Sequence, residues 1–495
     1  MGYKLLGQTI VDILKEDKIF VEASDNFNAC LFSQITFNSK DVMPQGLFIC
    51  KGIGFKPIYL EDAVNRGASA YLSETILDSD VPFVITTNIR RAMALVAKAF
   101  YHYQPSDFDL IGVTGTKGKS TTVYYIKNIL EAGFGKAPAY LTTVDVFDGI
   151  SHQEATLTTP EPTTSYATFA RAREHGVHQV VMELSSQSDK MDRALGMFFK
   201  YGVFVNISED HIAPNEHQNF DEYLTCKMNI VSRYENAVIN LDDDHAAHAQ
   251  RAAQNAKSIL TYSLRSDAGA DIYAKDITIH GHKTKFVAVT PDWEMPMEIV
   301  ILGVFNVSNA LAGIAIGYLL GIPPDKIALA CGKTQVGGRM NVFSHNGYTA
   351  IVDYAHNKAS LESALDSITS TYPDKKVTLI FGCPGNKAYN RRSELSEIAA
   401  KAKVYSILTN EDPQFENPAD IINEVISHLD AFGGAYEVIM DRKTAIETAI
   451  GRMKKDEVIF IAGKGMETYQ YQNGIPQPYE GDTNLVEKAI LKKIL

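Results

Sequence analysis

The sequence predicts an α/β protein of three domains. Three observations carry this. The chain has 495 residues, which on the usual domain size corresponds to about three domains. Residues 108–120, FDLIGVTGTKGKS, read as an apolar strand, a glycine turn and the start of a helix. Beyond residue 339, short apolar runs alternate with helical patterns, the mark of an open, mostly parallel sheet.

Composition excludes several classes. The net charge of −12 argues against a nucleic-acid coat or a binder of anionic membranes, so an anionic ligand must meet local positive groups. Cys30, Cys50, Cys226, Cys331 and Cys383 are scattered, odd in number and lack a C-x-x-C pair. Free thiols and a cytoplasmic setting are expected, with no disulfide frame or zinc site. Lys4, Asp12, Lys15 and Glu16 interrupt any signal-peptide core, and Leu6 stands where a myristoylation signal wants Ser or Thr. No apolar run reaches spanning length, so membrane insertion is not expected.

Residues 1–107 predict a small N-terminal α/β domain. Residues 9–16 have amphipathic helical spacing, and 60–66 and 89–101 are further helices. Residues 34–39, 46–51, 70–73 and 82–86 read as strands.

Residues 108–338 predict a central P-loop-type domain, a mostly parallel sheet with helices. Residues 109–113 form its first strand, and 121–132 the following helix, stopped near Gly133. A strand, glycine turn and helix N-terminus make an anion site, because free N–H groups and the helix dipole favour negative charge. Gly115 and Gly118 let the backbone approach phosphate oxygens. Lys119 can reach β- and γ-phosphates, and the Ser120 hydroxyl can ligate Mg²⁺. Strict G-x-x-x-x-G-K-[ST] spacing would need glycine at Val113, whereas the nearest is Gly112. Residues 178–184 and 201–207 are apolar runs suited to buried parallel strands, each ending in polar residues. Such ends collect ligands in open sheets, so both are expected near the glycine turn. Residues 237–240 read as another strand and 302–317 as a helix.

Residues 339–495 predict a C-terminal Rossmann-like domain. Strands are expected at 349–353, 377–381, 404–409 and 458–462, with helices at 361–371, 393–402, 419–429 and 442–453. Asn417 and Pro418 are a helix cap and first-turn pair.

Several residues at strand ends suit chemistry. Glu183 and His211 can ligate a hard divalent cation directly or through water. Lys227 falls on a predicted helix, where a lysine is ordinarily a surface residue. Arg193 and Arg339 are placed to meet anions, as any arginine can be.

Eight motifs then occur in order: Gly115-Thr116-Lys117-Gly118-Lys119-Ser120, Thr158-Thr159-Pro160-Glu161, Glu183-Leu184-Ser185-Ser186-Gln187, Asn206 with Asp210-His211, Asn306-Val307-Ser308-Asn309, Gly338-Arg339-Met340, Asp353-Tyr354-Ala355-His356-Asn357 and Gly463-Lys464-Gly465-Met466-Glu467. In these the chain resembles the Mur ligase family, the ATP-dependent amide-forming enzymes of bacterial cell-wall synthesis. Within it the resemblance is strongest to the members that add the third amino acid. The cues are residues 409–418, GKGMETYQ at 463–470, and Asn38-Ser39-Lys40 with Gly46-Leu47-Phe48.

The resemblance implies a set of roles. ATP would lie on Thr114, Gly115, Thr116, Lys117, Gly118, Lys119, Ser120 and Thr121, with Asn306, Asn309, Arg339 and Asp353 around the nucleotide. Mg²⁺ would be held by Ser120, Glu183 and His211. Lys119, Glu183, His211 and Lys227 would carry catalysis, with Lys227 carbamylated to an anion (N6-carboxylysine). Ser39, Thr158, Thr159, Ser185 and Arg193 match contacts to the UDP-muramoyl-peptide, here UDP-N-acetylmuramoyl-L-alanyl-D-glutamate. Arg392, Glu411, Asp412, Gln414, Gly463 and Glu467 match the amino-acid site. The enzyme would be a monomer. The family commonly has Asp-Ser-Arg where this chain has Asn38-Ser39-Lys40, and histidine is frequent where it has Gln187.

The resemblance also bears on the acceptor. Diaminopimelate-adding members carry arginine at the end of a D-N-P-R loop, and this chain has Glu411-Asp412-Pro413-Gln414. A neutral amide cannot balance a second carboxylate, and two acids attract an ammonium. L-Lysine is expected, with meso-diaminopimelate and L-ornithine as alternatives. The rivals are a folylpolyglutamate synthase-like ligase, and a non-catalytic nucleotide-binding protein that kept the glycine loop.

Overall fold

The computed structural model describes residues 2–52, 54–155, 157–209, 216–281 and 283–494. The chain forms two compact units. One is Met1–Lys119 with Phe134–Thr261; the other is Ser120–Gly133 with Tyr262–Leu495.

The first unit opens with a five-stranded sheet in the order Phe20–Ala23, Phe83–Thr86, Ala68–Ser73, Gly46–Ile49 and Gln34–Thr36. All neighbours are parallel except the Phe20–Ala23 edge. The helix expected at 60–66 begins earlier, as Pro57–Asn65, because Pro57 is preorganised for a first turn. The helices Gly7–Glu16 and Ile89–Phe100 bury Ile10, Val11, Leu14, Met93 and Val96 in one core.

The same unit holds the strands around the glycine turn. Asp109–Thr114 lies between Gln179–Leu184 and Phe199–Phe204, parallel to both. Glu183 pairs with Val113, and both Leu184 and Phe204 with Thr114. The two polar strand ends therefore flank the turn, as the sequence predicts. The glycine at 112 serves packing: a Cβ there would stand 2.6 Å from Leu184 Cδ1. Phe220–Val231 is a helix whose Asn219 cap accepts from the Glu222 N–H at 2.9 Å, and it carries Lys227.

In the second unit, the helix Lys119–Phe134 starts at Lys119 itself, two residues before its expected start, and its residues 120–133 pack on Phe305–Leu319. A Cβ at Gly313 would stand 2.9 Å from Tyr125 Cβ, so the two helices approach closely. Ile272–His280, Lys283–Val289 and Glu294–Ile299 form an antiparallel meander that the sequence reading missed. The pairing of its first two strands carries a register shift between Lys275 and Thr278.

The C-terminal sheet runs Asn341–His345, Tyr348–Asp353, Glu457–Ala462, Lys376–Phe381, Tyr405–Leu408 and Ala435–Val438. Only Asn341–His345 is antiparallel to its neighbour. Helices Lys358–Thr371, Asn390–Lys401, Pro418–Phe432 and Arg442–Arg452 separate the strands in sequence. Asn417 caps its helix by accepting from the Ala419 N–H at 3.1 Å, with Pro418 in the first turn, as expected.

Candidate active site

The glycine turn is held open from below. The Asn206 Oδ1 accepts from the N–H groups of Thr116 at 3.0 Å and Lys117 at 2.9 Å. The Asn206 Nδ2 donates back to the Lys117 carbonyl at 3.2 Å. Thr116 Oγ1 lies 2.8 Å from the Tyr223 hydroxyl and accepts from the Ser208 N–H at 3.0 Å. Gly118 has φ +79°, a left-handed conformation that only glycine adopts without strain. Lys119 Nζ donates to the carbonyls of Gly115 at 2.8 Å and Thr116 at 3.2 Å, so its charge is held over the turn. Thr114, Thr116, Ser120 and Thr121 are buried.

Glu183 ends its strand 1% exposed. Its Oε1 accepts from the Thr143 N–H at 2.8 Å and its Oε2 from the Thr143 hydroxyl at 3.1 Å. Thr158 Oγ1 lies 3.3 Å from Thr143 Oγ1. Thr159 Oγ1 donates to the Glu183 carbonyl and accepts from the Ser185 N–H, both at 2.9 Å. Glu183, Thr158, Thr159 and Ser185 are thus one connected cluster. Lys227 is 1% exposed, not a surface lysine, and its Nζ sits 4.9 Å from the Tyr223 ring centre. Tyr223 links it to Thr116 of the turn. His211 lies outside the described residues. Among the described residues no group of three or more His, Cys, Asp or Glu is assembled for a metal. Ser39 is buried at the start of the 3₁₀ turn Ser39–Asp41, where the Asn38 side chain accepts from the Lys40 N–H.

In the second unit, Asn309 Nδ2 donates to Asn306 Oδ1 at 2.9 Å, and Asn306 Nδ2 to the Leu302 carbonyl at 2.7 Å. Thr122, on the helix that continues the glycine turn, donates to Asn309 Oδ1 at 3.4 Å. The Arg339 guanidinium stacks 4.5 Å over the Tyr354 ring. Asp353 Oδ2 accepts from the Met340 N–H at 2.7 Å; burial raises its carboxyl above the usual range, while Arg339 lowers it.

The acceptor loop divides two acids that the sequence presents as a pair. Asp412 is neutralised: Lys464 Nζ lies 2.8 Å from its Oδ1, which also accepts from the Tyr471 N–H at 3.0 Å. The same Lys464, whose side chain is 1% exposed, lies 2.7 Å from Glu467 Oε2. Glu467 Oε1 accepts from the Tyr354 hydroxyl at 2.9 Å. Glu411 differs. It is 8% exposed, and among the described residues its carboxylate makes no hydrogen bond or ion pair. Burial pushes its carboxyl up to about 7, against the lowering pull of Lys464 and Arg442. Gly463 has φ +116°, and a Cβ there would stand 3.3 Å from Glu411 Oε2, so a side chain would crowd this carboxylate. Gln414 is half-buried with φ +55°. Arg392 is 3% exposed and already engaged: it donates to Glu416 Oε2 at 2.8 Å and to Glu424, and it stacks 4.8 Å over Tyr389. Among the described residues its Nε has no partner.

Sequence reasoning did not single out Thr143, Tyr223 or Lys464 as site residues, and used Asn206 only as a motif letter. Lys464 stands between two expected glycines in GKG, where a buried cation is the one available signal.

Comparison with known proteins identifies the family. Residues 113–317 match the Mur ligase middle domain, and residues 338–465 the Mur ligase glutamate ligase domain. The chain is 34% identical to the UDP-N-acetylmuramoyl-L-alanyl-D-glutamate–L-lysine ligase of Enterococcus faecalis, over 97% of each chain. A ligase of the same name from Streptococcus pyogenes is 34% identical, over 96% of this chain and 98% of that one. Among solved structures, a UDP-N-acetylmuramoyl-L-alanyl-D-glutamate–2,6-diaminopimelate ligase is 25% identical with a TM-score of 0.67, covering 99% of this chain and 100% of that one. A folylpolyglutamate synthase of Thermotoga maritima, 16% identical with a TM-score of 0.58, covers 75% of this chain and 89% of its own. The chain belongs to the Mur ligase family.

Proposed function

We propose that this chain is an ATP-dependent ligase that adds L-lysine to the D-glutamyl side-chain carboxylate of UDP-N-acetylmuramoyl-L-alanyl-D-glutamate, a step in peptidoglycan precursor synthesis and so in cell-wall biogenesis, shape and division. One observation carries the choice of acceptor. Glu411 is a buried carboxylate without a partner among the described residues, and Gln414 stands where a second carboxylate would need arginine. The distal ammonium of lysine is the group that Glu411 lacks. The L-lysine ligases among the relatives support the same acceptor.

Three parts follow: residues 1–107 for the UDP end with Ser39, 108–338 for ATP, and 339–495 for the amino acid. ATP phosphates lie on the turn 114–121, with Asn306, Asn309, Arg339 and Asp353 around the nucleotide. The substrate carboxylate attacks the γ-phosphorus, ADP departs and an acyl phosphate forms. The neutral α-amine of lysine attacks the acyl carbon, phosphate leaves with the C–O electron pair, and the proton shed by nitrogen goes to the departing phosphate. Lys119 holds a positive charge at the γ-phosphate while charge builds in flight. Thr158, Thr159, Ser185 and Arg193 hold the muramoyl-peptide so that its D-glutamyl side-chain carboxylate faces the γ-phosphate.

Ser120 and Glu183 carry oxygen donors of the kind Mg²⁺ takes and would hold it, with His211 as a further candidate. Thr143 provides two of the donors to the Glu183 oxygens, and an ionised carboxylate has about four acceptor positions, so lone pairs remain for a cation. When bound, Mg²⁺ supplies neutralising charge for the phosphates. A carbamate on buried Lys227 would turn a cation into a further oxygen ligand. The protein acts in the cytoplasm as a monomer; among the described residues no helix is long and apolar enough to cross a membrane. The test is phosphate release from ATP with each substrate omitted in turn. Release without either the UDP-substrate or an amino acid would contradict ligation.

A further inference from the structure

In the first unit, three cations gather around a single acid. Lys51 Nζ lies 2.7 Å from Glu161 Oε1, and Arg193 Nε stands 3.5 Å from the same oxygen without hydrogen-bond geometry. Arg90 is close enough that its charge acts on both Lys51 and Arg193. These side chains are well buried: 13% exposed for Lys51, 14% for Arg193 and 6% for Glu161. One carboxylate against three cations leaves a buried excess of positive charge. Buried polar groups normally find partners, yet among the described residues three atoms here have none: Arg90 NH1, Arg193 Nε and Glu161 Oε2. Two are donors and one is an acceptor. Burial lowers the pKa of both Lys51 and Arg193, the response of cations that lack enough counter-charge.

The missing ligand must be an anion with a donor beside it. Glu161 lies two residues from Thr159, which holds the Glu183 strand end, so the cluster adjoins the peptide end of the substrate. A D-glutamyl residue has two carboxylates. The side-chain one is activated, and the α-carboxylate must be held away from the phosphate. It also neighbours a peptide N–H.

We infer that Lys51 and Arg90 join Arg193 in a seat for the spectator α-carboxylate of the substrate's D-glutamyl residue, with the free oxygen of Glu161 accepting the adjoining peptide N–H. This rests on the functional reading above, and it makes Lys51, Arg90 and Glu161 positioning residues for the ligated substrate. Glu161 also fixes Lys51 and prevents the seat from accepting a second anion.

The test compares two substrates in the full-length enzyme with ATP and L-lysine: the D-glutamyl compound and its α-carboxamide analogue, which keeps the reacting carboxylate. Wild type should lose about 30-fold or more in kcat/KM on the amide, the lower end of what leaving a buried charge unpaired costs. Lys51→Met and Arg90→Met should each lose kcat/KM on the acid, through KM for this substrate, and discriminate far less between acid and amide. KM for ATP should stay unchanged. A merely structural role would depress both substrates equally. Wild type that uses the amide as well as the acid overturns the inference with no variant needed. Inhibition by UDP alone that weakens in the two variants would assign the charge to the diphosphate and overturn it as well. Wild type that ligates no amino acid would sink the functional reading; wild type that ligates lysine but ignores the α-carboxylate sinks only this inference.

Discussion

Glu411→Gln is the substitution that bears most sharply on the acceptor. Glutamine keeps the shape and removes the charge. In the free protein no hydrogen bond or ion pair of the carboxylate is lost among the described residues; only the pull of Lys464 and Arg442 is given up, and both are already paired with Asp412, Glu467 and Asp482. In the complex, the lysine ammonium would lose a buried counter-charge. Such losses cost about 2–5 kcal/mol, and the partly open loop favours the lower end, about 2–3 kcal/mol or roughly 30- to 150-fold in kcat/KM. The control acceptor is L-norleucine, which has hydrogen in place of the distal ammonium. The Glu411 carboxyl is raised from 4.5 to about 7, so about one tenth is ionised at pH 6 and about nine tenths at pH 8. The lysine-to-norleucine ratio of kcat/KM should therefore rise about ninefold between those pH values in wild type and stay flat in Glu411→Gln. Stability has the opposite sign. Between pH 4.5 and about 7 the unfolded chain has released this proton while the folded chain keeps it. Wild type thus loses stability as pH rises through that window, by an amount on the order of 3 kcal/mol. The variant lacks that loss and should be the more stable protein at pH 8 in urea unfolding. An unchanged lysine-to-norleucine ratio in the variant would refute the reasoning.

Other outcomes follow from the same geometry. Lys119→Ala should abolish ATP-dependent ligation, with far-UV dichroism and the unfolding midpoint retained; near wild-type turnover would remove the glycine turn from the mechanism. Lys227→Ala should be severely impaired and Lys227→Glu less so, because glutamate restores an anion on a shorter stem; a high-resolution density map showing a bare ammonium away from any Mg²⁺ would reject the carbamate. Asn206→Ala removes the side-chain acceptor shared by the Thr116 and Lys117 N–H groups, and should raise KM for ATP about tenfold or more while leaving KM for lysine unchanged.

What the sequence disclosed was local. The glycine turn, the strands beside it and the Asn417–Pro418 helix start are each written in a few consecutive residues. The partners that tune the site are distant in sequence. Asn206 reaches Thr116 across 90 positions, Thr143 reaches Glu183 across 40, and Lys464 reaches Asp412 across 52. That last contact changes the meaning of the acceptor loop. Glu411 and Asp412 read as one acidic pair, yet Lys464 neutralises one and leaves the other open. Lys227 reads as a surface lysine by composition, and only the packing of its helix buries it. The first strand of the meander after residue 272 is exposed over much of its length, with Asp276, Thr278 and His280 in it, so it lacks the apolar run that marks the buried parallel strands.

The most direct measurement is kcat/KM for L-lysine, L-ornithine and meso-diaminopimelate on one preparation, with ATP and UDP-N-acetylmuramoyl-L-alanyl-D-glutamate. Diaminopimelate differs from lysine by one distal carboxylate, which would meet Glu411 and find glutamine at 414 in place of arginine. The account predicts lysine over diaminopimelate by about a thousandfold or more, with ornithine behind lysine by roughly 10- to 150-fold for its missing methylene. A preference for diaminopimelate would contradict it.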